Sequence, residues 1–148
     1  MKLTHEEIST LNVTPITKLA LQLWPDSNFV ALFDDFSEMI GSPNHLVMLV
    51  KLQEKPVGFA HVALRNEYVE GAERFPVAYL EGIYVTPDHQ QKGIGEYMLE
   101  QAQIWAQAQG CTQLASDVEL PNTGSQAFHQ KMGFVEANRV VCYIKNLT

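Results

Sequence analysis

The stretch VAYLEGIYVTPDHQQKGIG, residues 77–95, joins an apolar run to a segment with two glycines. Residues 77–85 are rich in Val, Leu, Ile and Tyr, a composition that predicts a β-strand. Over residues 93–109 the sequence predicts a long helix, because one side recurs at about 3.6 residues and Gly110 follows as a C-cap. Residues 86–95 therefore lead from a strand into the N-terminus of a helix.

A glycine-bearing loop at such a junction can bind an anion. The first N–H groups of a helix have no intrahelical partner, and the helix dipole adds about half a positive charge there. Gly93 and Gly95 let a phosphate approach the backbone closely, and Lys92 adds a cation. The nucleotide-binding patterns GxxxxGK[ST] and GxGxxG are not matched in spacing. From these residues alone, a tight turn without a ligand is an equal alternative.

Helical and strand patterns alternate along the rest of the chain. The sequence predicts a strand near residues 7–11, a helix capped by Thr14, and a second helix that ends before Gly41. Further strands are predicted at residues 45–52, 56–64, 77–85, 114–118 and 134–144, and a last helix at residues 123–132. The predicted order is β-α-α-β-β-β-α-β-α-β, an α/β arrangement in one domain over residues 1–148. The charged loop 65–76 is long enough to suggest a function.

Composition excludes several classes of protein. The chain has 148 residues, 46% of them hydrophobic, and its net charge of −7 argues against nucleic acid as a partner. We expect a soluble cytoplasmic protein that does not bind membranes, because no apolar run approaches 20 residues and the first ten residues do not resemble a signal peptide. Cys111 and Cys142 form no CxxC, and the histidines form no HExxH, so no metal site is predicted.

A second pattern begins 32 residues after Gln90, in NTGSQAFHQKMGF, residues 122–134. Together, Gln-x-x-Gly-x-Gly and Asn-x-x-Ser-x-x-Phe-His-x-x-x-Gly-Phe resemble the GNAT superfamily of N-acyltransferases, which use acyl-coenzyme A. The resemblance implies a mixed, mainly antiparallel sheet flanked by helices, splayed between strands 77–85 and 114–118. It also implies acetyl-CoA as cosubstrate, with its pantetheine arm in the gap.

The resemblance also implies which residues contact the cofactor. Backbone amides of Ile83, Tyr84 and Val85 would meet the pantetheine and thioester, and Asn122 would contact the arm from the other side. The pyrophosphate would be held by Gln91, Lys92, Gly93, Ile94, Gly95 and Glu96. His129 stands where the family commonly has a Tyr that protonates the departing thiolate. His129 could do the same near neutral pH, or it could pack near the cofactor as an ordinary helix residue.

Two carboxylates mark the expected amine site. Glu81 lies in an otherwise apolar strand, on the face of Ile83 and Val85 by period two, where a charge requires a reason. We interpret Glu81 as the group that collects the substrate ammonium and takes its proton, directly or through water. Pairing with a neighbouring Arg, or exposure to solvent, is the alternative. Asp117 places a second carboxylate across the splay, unless it is a turn or cap residue.

At finer grain the chain resembles the aminoglycoside 6'-N-acetyltransferases, which modify antibiotics. The likeness covers nearly the whole length and includes LWP at 23–25, RNEYVEG at 65–71, LEGIYV at 80–85 and ASD at 115–117. It implies that Trp24 and Tyr68 line the antibiotic cleft, that Glu81 takes the reacting amine, and that Asp117 binds another amine. The alternative for Trp24 is a core residue at a helix end. Ser27 and Asn138 match substrate positions with other polar residues, which leaves drug preference open.

The C-terminal stretch RVVCYIK, residues 139–145, resembles the family's last strand, which often crosses into a partner subunit. The resemblance therefore implies a homodimer. Two other functions are alternatives: the same fold acting on a polyamine, a metabolite amine or a peptide amine, and a non-catalytic module that binds acyl-CoA. The aromatic loop around Tyr68 favours a bulky acceptor over a polyamine.

Overall fold

The computed structural model describes residues 2–148. Five strands form one sheet in the order β1-β2-β3-β4-β5. The strands are β1 Leu3–Glu7, β2 His45–Leu52, β3 Lys55–Arg65, β4 Val77–Val85 and β5 Leu114–Ser116. Strands β1 to β4 are antiparallel neighbours, whereas β5 runs parallel to β4. The predicted mixed, mainly antiparallel sheet is confirmed.

Four α-helices flank this sheet. They are α1 Val13–Leu23, α2 Phe29–Met39, α3 Ile94–Ala108 and α4 Thr123–Lys131, and a 3₁₀ turn at Pro87–His89 precedes α3. One apolar cluster packs the α3 side, with Met98 and Leu99 against Val62 and Leu80. Another packs the α1 and α2 side, with Ile16 and Phe36 against Leu49 and Phe59. Because helices cover both faces, β2 and β3 are almost continuously apolar.

Several predicted elements differ from the structure, and one of them is β5, which ends at Ser116 and not at residue 118, so Asp117 follows the strand. The first strand lies at Leu3–Glu7 and not at residues 7–11, and α1 begins after Asn12 and not at Thr14. The Asn12 side chain explains this boundary: it accepts from the Ser9 N–H and donates to the Glu7 carbonyl oxygen, which joins strand end to helix start. Residues 134–144, predicted as a strand, form none, and every residue from Val135 onward is exposed.

Within residues 2–148, no helix is both long and apolar enough to cross a membrane.

His61 is a buried titratable side chain in the middle of β3. It is 7% exposed, and its Nε2 lies 2.9 Å from Nδ1 of His45. The Phe36 ring packs against it, with 6.1 Å between ring centroids. Burial, and then the charge of His45, lower the pKa of His61 from 6.5 to about 4. His61 is therefore neutral in the folded protein at neutral pH.

This neutral histidine makes folding stability depend on pH. Below pH 6.5 the unfolded chain protonates His61 while the folded chain does not until about pH 4, so stability falls through that window. We expect the His61 contribution to reach about 3 kcal/mol at pH 4. In urea unfolding, the free energy of unfolding should fall less between pH 6.5 and pH 4 for His61→Gln than for the wild type. The exposed His5→Gln is the matched control, and equal slopes for wild type and His61→Gln would contradict the prediction.

Candidate active site

The sheet opens between β4 and β5. The two strands pair only through Ala78 with Leu114, Tyr79 with Ala115 and Leu80 with Ser116. Strand β4 continues to Val85 while β5 ends at Ser116. The predicted splay is confirmed, and β4 has a free edge from Glu81 onward.

Backbone groups of β4 face this gap in alternation. The Thr86 N–H donates to the Val57 carbonyl oxygen at 2.9 Å. Because antiparallel ladders alternate, the Tyr84 backbone faces β3, whereas the Ile83 and Val85 backbones face the gap. The Val85 carbonyl accepts from Nε2 of Gln90 at 3.0 Å. The gap therefore offers main-chain donors and acceptors to a ligand with amide groups.

A β-bulge places Glu81 beside the gap. Val62 pairs with Leu80 and His61 with Gly82, so Glu81 has no partner on β3. Because the bulge inserts one residue, the α3-side face of β4 changes from even to odd positions, and Ala78, Leu80, Ile83 and Val85 all pack there. Glu81 lies on the opposite side, which makes the period-two prediction of a shared face with Ile83 and Val85 wrong.

Arg65 holds the Glu81 carboxylate. Its Nη2 lies 2.8 Å from Oε1 and 2.8 Å from Oε2, and its Nε lies 3.1 Å from Oε2. The alternative of a neighbouring Arg is thus what the structure shows. The Glu81 side chain is still 25% exposed. A substrate can therefore reach the carboxylate from its solvent side.

Tyr79 connects this ion pair to the second carboxylate. The Arg65 guanidinium carbon lies 3.5 Å from the centroid of the Tyr79 ring, and the Tyr79 hydroxyl donates to Asp117. Burial, followed by the hydrogen bond to Asp117, raises the pKa of the Tyr79 hydroxyl well above its usual range. The hydroxyl is therefore a donor at neutral pH, and one cluster contains both predicted carboxylates.

Sequence reasoning did not single out Arg65 or Tyr79 as residues of the site. Tyr79 stands two positions before Glu81, and Arg65 is the β3 partner of Val77. Pairing the predicted strands 56–64 and 77–85 and comparing side chains on neighbouring strands could have identified them.

Tyr68 and Asn138 meet at a third carboxylate. The Tyr68 hydroxyl and Nδ2 of Asn138 both donate to Glu70, the latter at 2.7 Å, and these hydrogen bonds lower the Glu70 pKa. A Cβ at Gly71, where φ is +84°, would lie 2.7 Å from Cβ of Ala137, so the loop and the C-terminal segment touch. Tyr68 itself is 80% exposed. Its aromatic face is therefore open to a ligand.

Trp24 packs beside the bulge. A Cβ at Gly82 would lie 2.6 Å from Cη2 of Trp24, so the indole rests directly on the strand next to Glu81. The indole is partly buried and meets the Phe59 ring edge-on at 6.0 Å. Trp24 is thus both a packing residue at the end of α1 and a neighbour of the carboxylate cluster. Ser27 is exposed in the turn that follows, where its N–H donates to the Trp24 carbonyl oxygen.

The predicted pyrophosphate loop leads into the N-terminus of α3 with two residues in the left-handed backbone region. Gln91 and Gly93 both have positive φ, at 60° and 83°, and Gly93 is the N-cap of α3. Gly95 faces the Phe128 ring, which a Cβ would approach to 3.1 Å. This contact holds α4 against the start of α3. Lys92, Ile94 and Glu96 are the other residues of the predicted pyrophosphate loop, and Ile94 and Glu96 lie in the first turn of α3.

His129 connects α4 to β5 where the sheet opens. Its Nδ1 lies 2.8 Å from the Ser125 carbonyl oxygen, and its Nε2 lies 2.8 Å from Oγ of Ser116. Because a carbonyl only accepts, the neutral ring donates from Nδ1 and accepts the Ser116 hydroxyl proton at Nε2. Asn122 caps the same helix, accepting from the Ser125 N–H at 3.1 Å. Both nitrogens of neutral His129 are therefore engaged.

Across residues 2–148, no three His, Cys, Asp or Glu side chains are grouped so that they could hold a metal ion.

Comparisons with known proteins identify relatives of this chain. The acetyltransferase (GNAT) family matches residues 12–134. An aminoglycoside N(6')-acetyltransferase type 1 of Serratia marcescens is 41% identical, covering 87% of this chain and 89% of the relative. One from Acinetobacter baumannii is 37% identical, covering 93% and 99%. The solved structure of AAC(6')-Iy in complex with the bisubstrate analog CoA-S-monomethyl-acetylneamine superposes with a TM-score of 0.93 at 31% identity, covering 99% of both chains.

Gly82 is a position where a methyl group should disturb the site. Gly82→Ala places Cβ within 2.8 Å of two Trp24 ring atoms, so the indole or the strand must move. We expect the free energy of unfolding to fall by about 1–3 kcal/mol, the range for overpacked cores. Urea denaturation measures this change. Gly124→Ala is the control, since a Cβ there meets nothing nearer than 4.0 Å. Unchanged stability for Gly82→Ala would contradict the packing described.

Proposed function

The chain belongs to the GNAT family of acetyltransferases, and from that premise we propose that it transfers the acetyl group of acetyl-CoA to the 6'-amine of aminoglycosides. One observation supports the proposal most: the free edge of β4 begins at Glu81, so a gap for a thioester adjoins a cluster of carboxylates. The names of the relatives at 37–41% identity support the choice of aminoglycosides.

Acetyl-CoA would occupy the gap and the loop before α3. Main-chain groups of Ile83 and Val85 would bond the pantetheine amides as a missing strand would. The positive-φ loop from Gln91 to Glu96 would hold the pyrophosphate with its N–H groups. A backbone N–H near Val85 would stabilise the oxyanion as the thioester carbonyl becomes tetrahedral. A cytoplasmic location, where acetyl-CoA is available, belongs to the same proposal.

The acceptor amine would reach the thioester from the side of Glu81. Its nitrogen forms the new C–N bond, the C–S bond breaks, and the amine proton passes to Glu81 directly or through water. Arg65 approaches one side of the carboxylate, which leaves acceptor sites on the other side for the substrate ammonium. His129, hydrogen-bonded to Ser116 and to the Ser125 carbonyl oxygen, would return a proton to the departing thiolate.

The surroundings of Glu81 suit a bulky polycation. Trp24 and Tyr68 offer aromatic faces on which sugar rings pack and ammonium groups bind, each contact worth about 0.5–2 kcal/mol. Asp117 and Glu70 add negative charge, in a chain of net charge −7. Ser27 and Asn138 would contribute polar contacts at the rim. Asn138 is neutral, and its Oδ1, the atom that could accept from an ammonium group, already accepts from the Arg139 N–H, so it would bind an amine weakly.

Release of the CoA thiol across a panel of amines tests the acceptor class. We expect turnover with acetyl-CoA and kanamycin A or neamine, and much less with spermidine or a lysine peptide, because these lack a rigid sugar face for Tyr68. A free-thiol reagent measures the rate. Turnover confined to spermidine or to the peptide would overturn the aminoglycoside proposal while leaving acetyl transfer intact.

Glu81→Gln tests the carboxylate separately. If Glu81 receives the amine and its proton, kcat/KM should fall about 10²- to 10⁴-fold, the range for a general base, while the Kd of CoA stays unchanged. Glu6→Gln is the matched control, because it loses a comparable ion pair, with Lys51, at the far edge of the sheet. Full activity of Glu81→Gln from pH 6 to pH 9 would remove Glu81 from the base role.

We also propose a homodimer in which the C-terminal segment 135–148 adds to a second copy. The segment forms no strand. Four of its apolar side chains are 75–95% exposed: Val140, Val141, Tyr143 and Ile144. Isolated apolar side chains are common on surfaces, but a run of them in one segment resembles a strand without its sheet. Strand β5 is the edge of the sheet next to the site and could receive it.

A charge in this segment should separate the subunits. We expect wild-type protein to elute with twice the 16.6 kDa chain mass and Val141→Asp to shift toward monomer, because the aspartate would be buried in the partner's sheet. Light scattering after size-exclusion chromatography measures the mass. Val30→Asp, at another exposed valine, should stay dimeric. A monomeric wild-type protein would refute the dimer.

A further inference from the structure

Tyr79 makes contacts in two directions that connect both carboxylates of the site. The face of its ring lies 3.5 Å from the guanidinium carbon of Arg65, and that guanidinium holds Glu81 through three hydrogen bonds. Its hydroxyl donates to Asp117. One rigid side chain, 8% exposed, therefore lies between the two anionic groups.

Asp117 depends on this contact more than Glu81 does. It directly follows the end of β5, in a segment without regular structure, and its side chain is exposed. Among residues 2–148, Tyr79 supplies the only hydrogen bond to its carboxylate. A side chain in that position loses its rotamer freedom on binding a ligand unless something has already fixed it.

We propose that Tyr79 is a positioning residue that determines specificity: it fixes the separation of Asp117 from Glu81 and so selects acceptors that carry a second ammonium group. The inference rests on the proposed function. It assigns to Tyr79 no contact with the reacting atoms, because its hydroxyl is already bonded and its ring face is covered by Arg65.

The physical basis is preorganisation. A Tyr ring has few rotatable bonds, and Tyr79 packs with Val69 and Val77, so its hydroxyl oxygen is held in place. Because that hydroxyl stays protonated at neutral pH, it donates to the Asp117 carboxylate and leaves the remaining acceptor sites for a ligand. A second ammonium on the substrate then meets a carboxylate that needs no ordering.

Tyr79→Phe removes the hydroxyl and keeps the ring under Arg65. The probes are kanamycin A, which carries several amines, and 6-amino-6-deoxyglucose, which carries only the reacting type of amine. We expect the variant to raise KM for kanamycin A about 3- to 10-fold, the cost of ordering one side chain, with kcat changed less than twofold. The ratio of KM values for the two probes should change by a similar factor.

A double-mutant cycle distinguishes positioning from a structural effect. If Tyr79 acts through Asp117, the effect of Tyr79→Phe on KM disappears in an Asp117→Ala background. Tyr97→Phe is the matched control: it too loses a hydroxyl hydrogen bond, to His5 at 2.6 Å, but on α3. It should leave the KM ratio as in the wild type, and thermal unfolding should show that all variants fold.

Three results would overturn the inference, and one of them would also refute the proposed function. Equal KM values for wild type and Tyr79→Phe with kanamycin A would refute the role of Tyr79 alone. A Tyr79→Phe effect that persists in the Asp117→Ala background would make Tyr79 a structural residue. Absence of turnover by the wild type with any aminoglycoside would refute the proposed function together with this inference.

Discussion

The end of strand pairing at Leu80 and Ser116 is the constraint on which the site depends. Beyond it, the main-chain groups of β4 that face β5 have no strand to bond, and unpaired groups of this kind are costly when buried. The Gln90 side chain satisfies the Val85 carbonyl, and the remaining groups are open to a ligand. The fold itself therefore leaves main-chain donors and acceptors of β4 unpaired at the gap.

Much of the fold could be predicted because the signals are local. The hairpin of β2 and β3 turns at Gln53 and Glu54, both with positive φ, between two apolar runs. Helix α3 begins after Gly93 and ends at Ala108, two residues before Gly110, as the glycines indicate. The two ends of the chain were predicted less well. The start of α1 depends on Asn12 bonding back to Glu7, and residues 134–144 pair with no strand of the described sheet despite their apolar pattern.

For the candidate site, the sequence indicated some of the residues better than it indicated their arrangement in space. Glu81 and Asp117 stand out in the sequence because charge in or beside an apolar strand is unusual, and the structure brings them into one cluster. The bulge was missed, because a period-two pattern cannot reveal one extra residue. Arg65 and Tyr79 were missed for a related reason. Their contacts run across and along strands, and only the register of β3 against β4 makes them neighbours.

The pair of Arg65 and Glu81 shows how the site holds negative charge without a substrate. A partly buried carboxylate left alone would lose several kcal/mol of hydration, and the guanidinium offsets that loss. An arriving ammonium would have to break three hydrogen bonds to displace Arg65, each worth about 1.5–3 kcal/mol when charged groups are involved. Binding to the Glu81 carboxylate beside Arg65 would cost less free energy than displacing Arg65. The outer lone pairs of the carboxylate face solvent, and the Tyr79 ring keeps Arg65 in place. Under the proposed function, the substrate would join the ion pair, and Arg65 would stay beside Glu81.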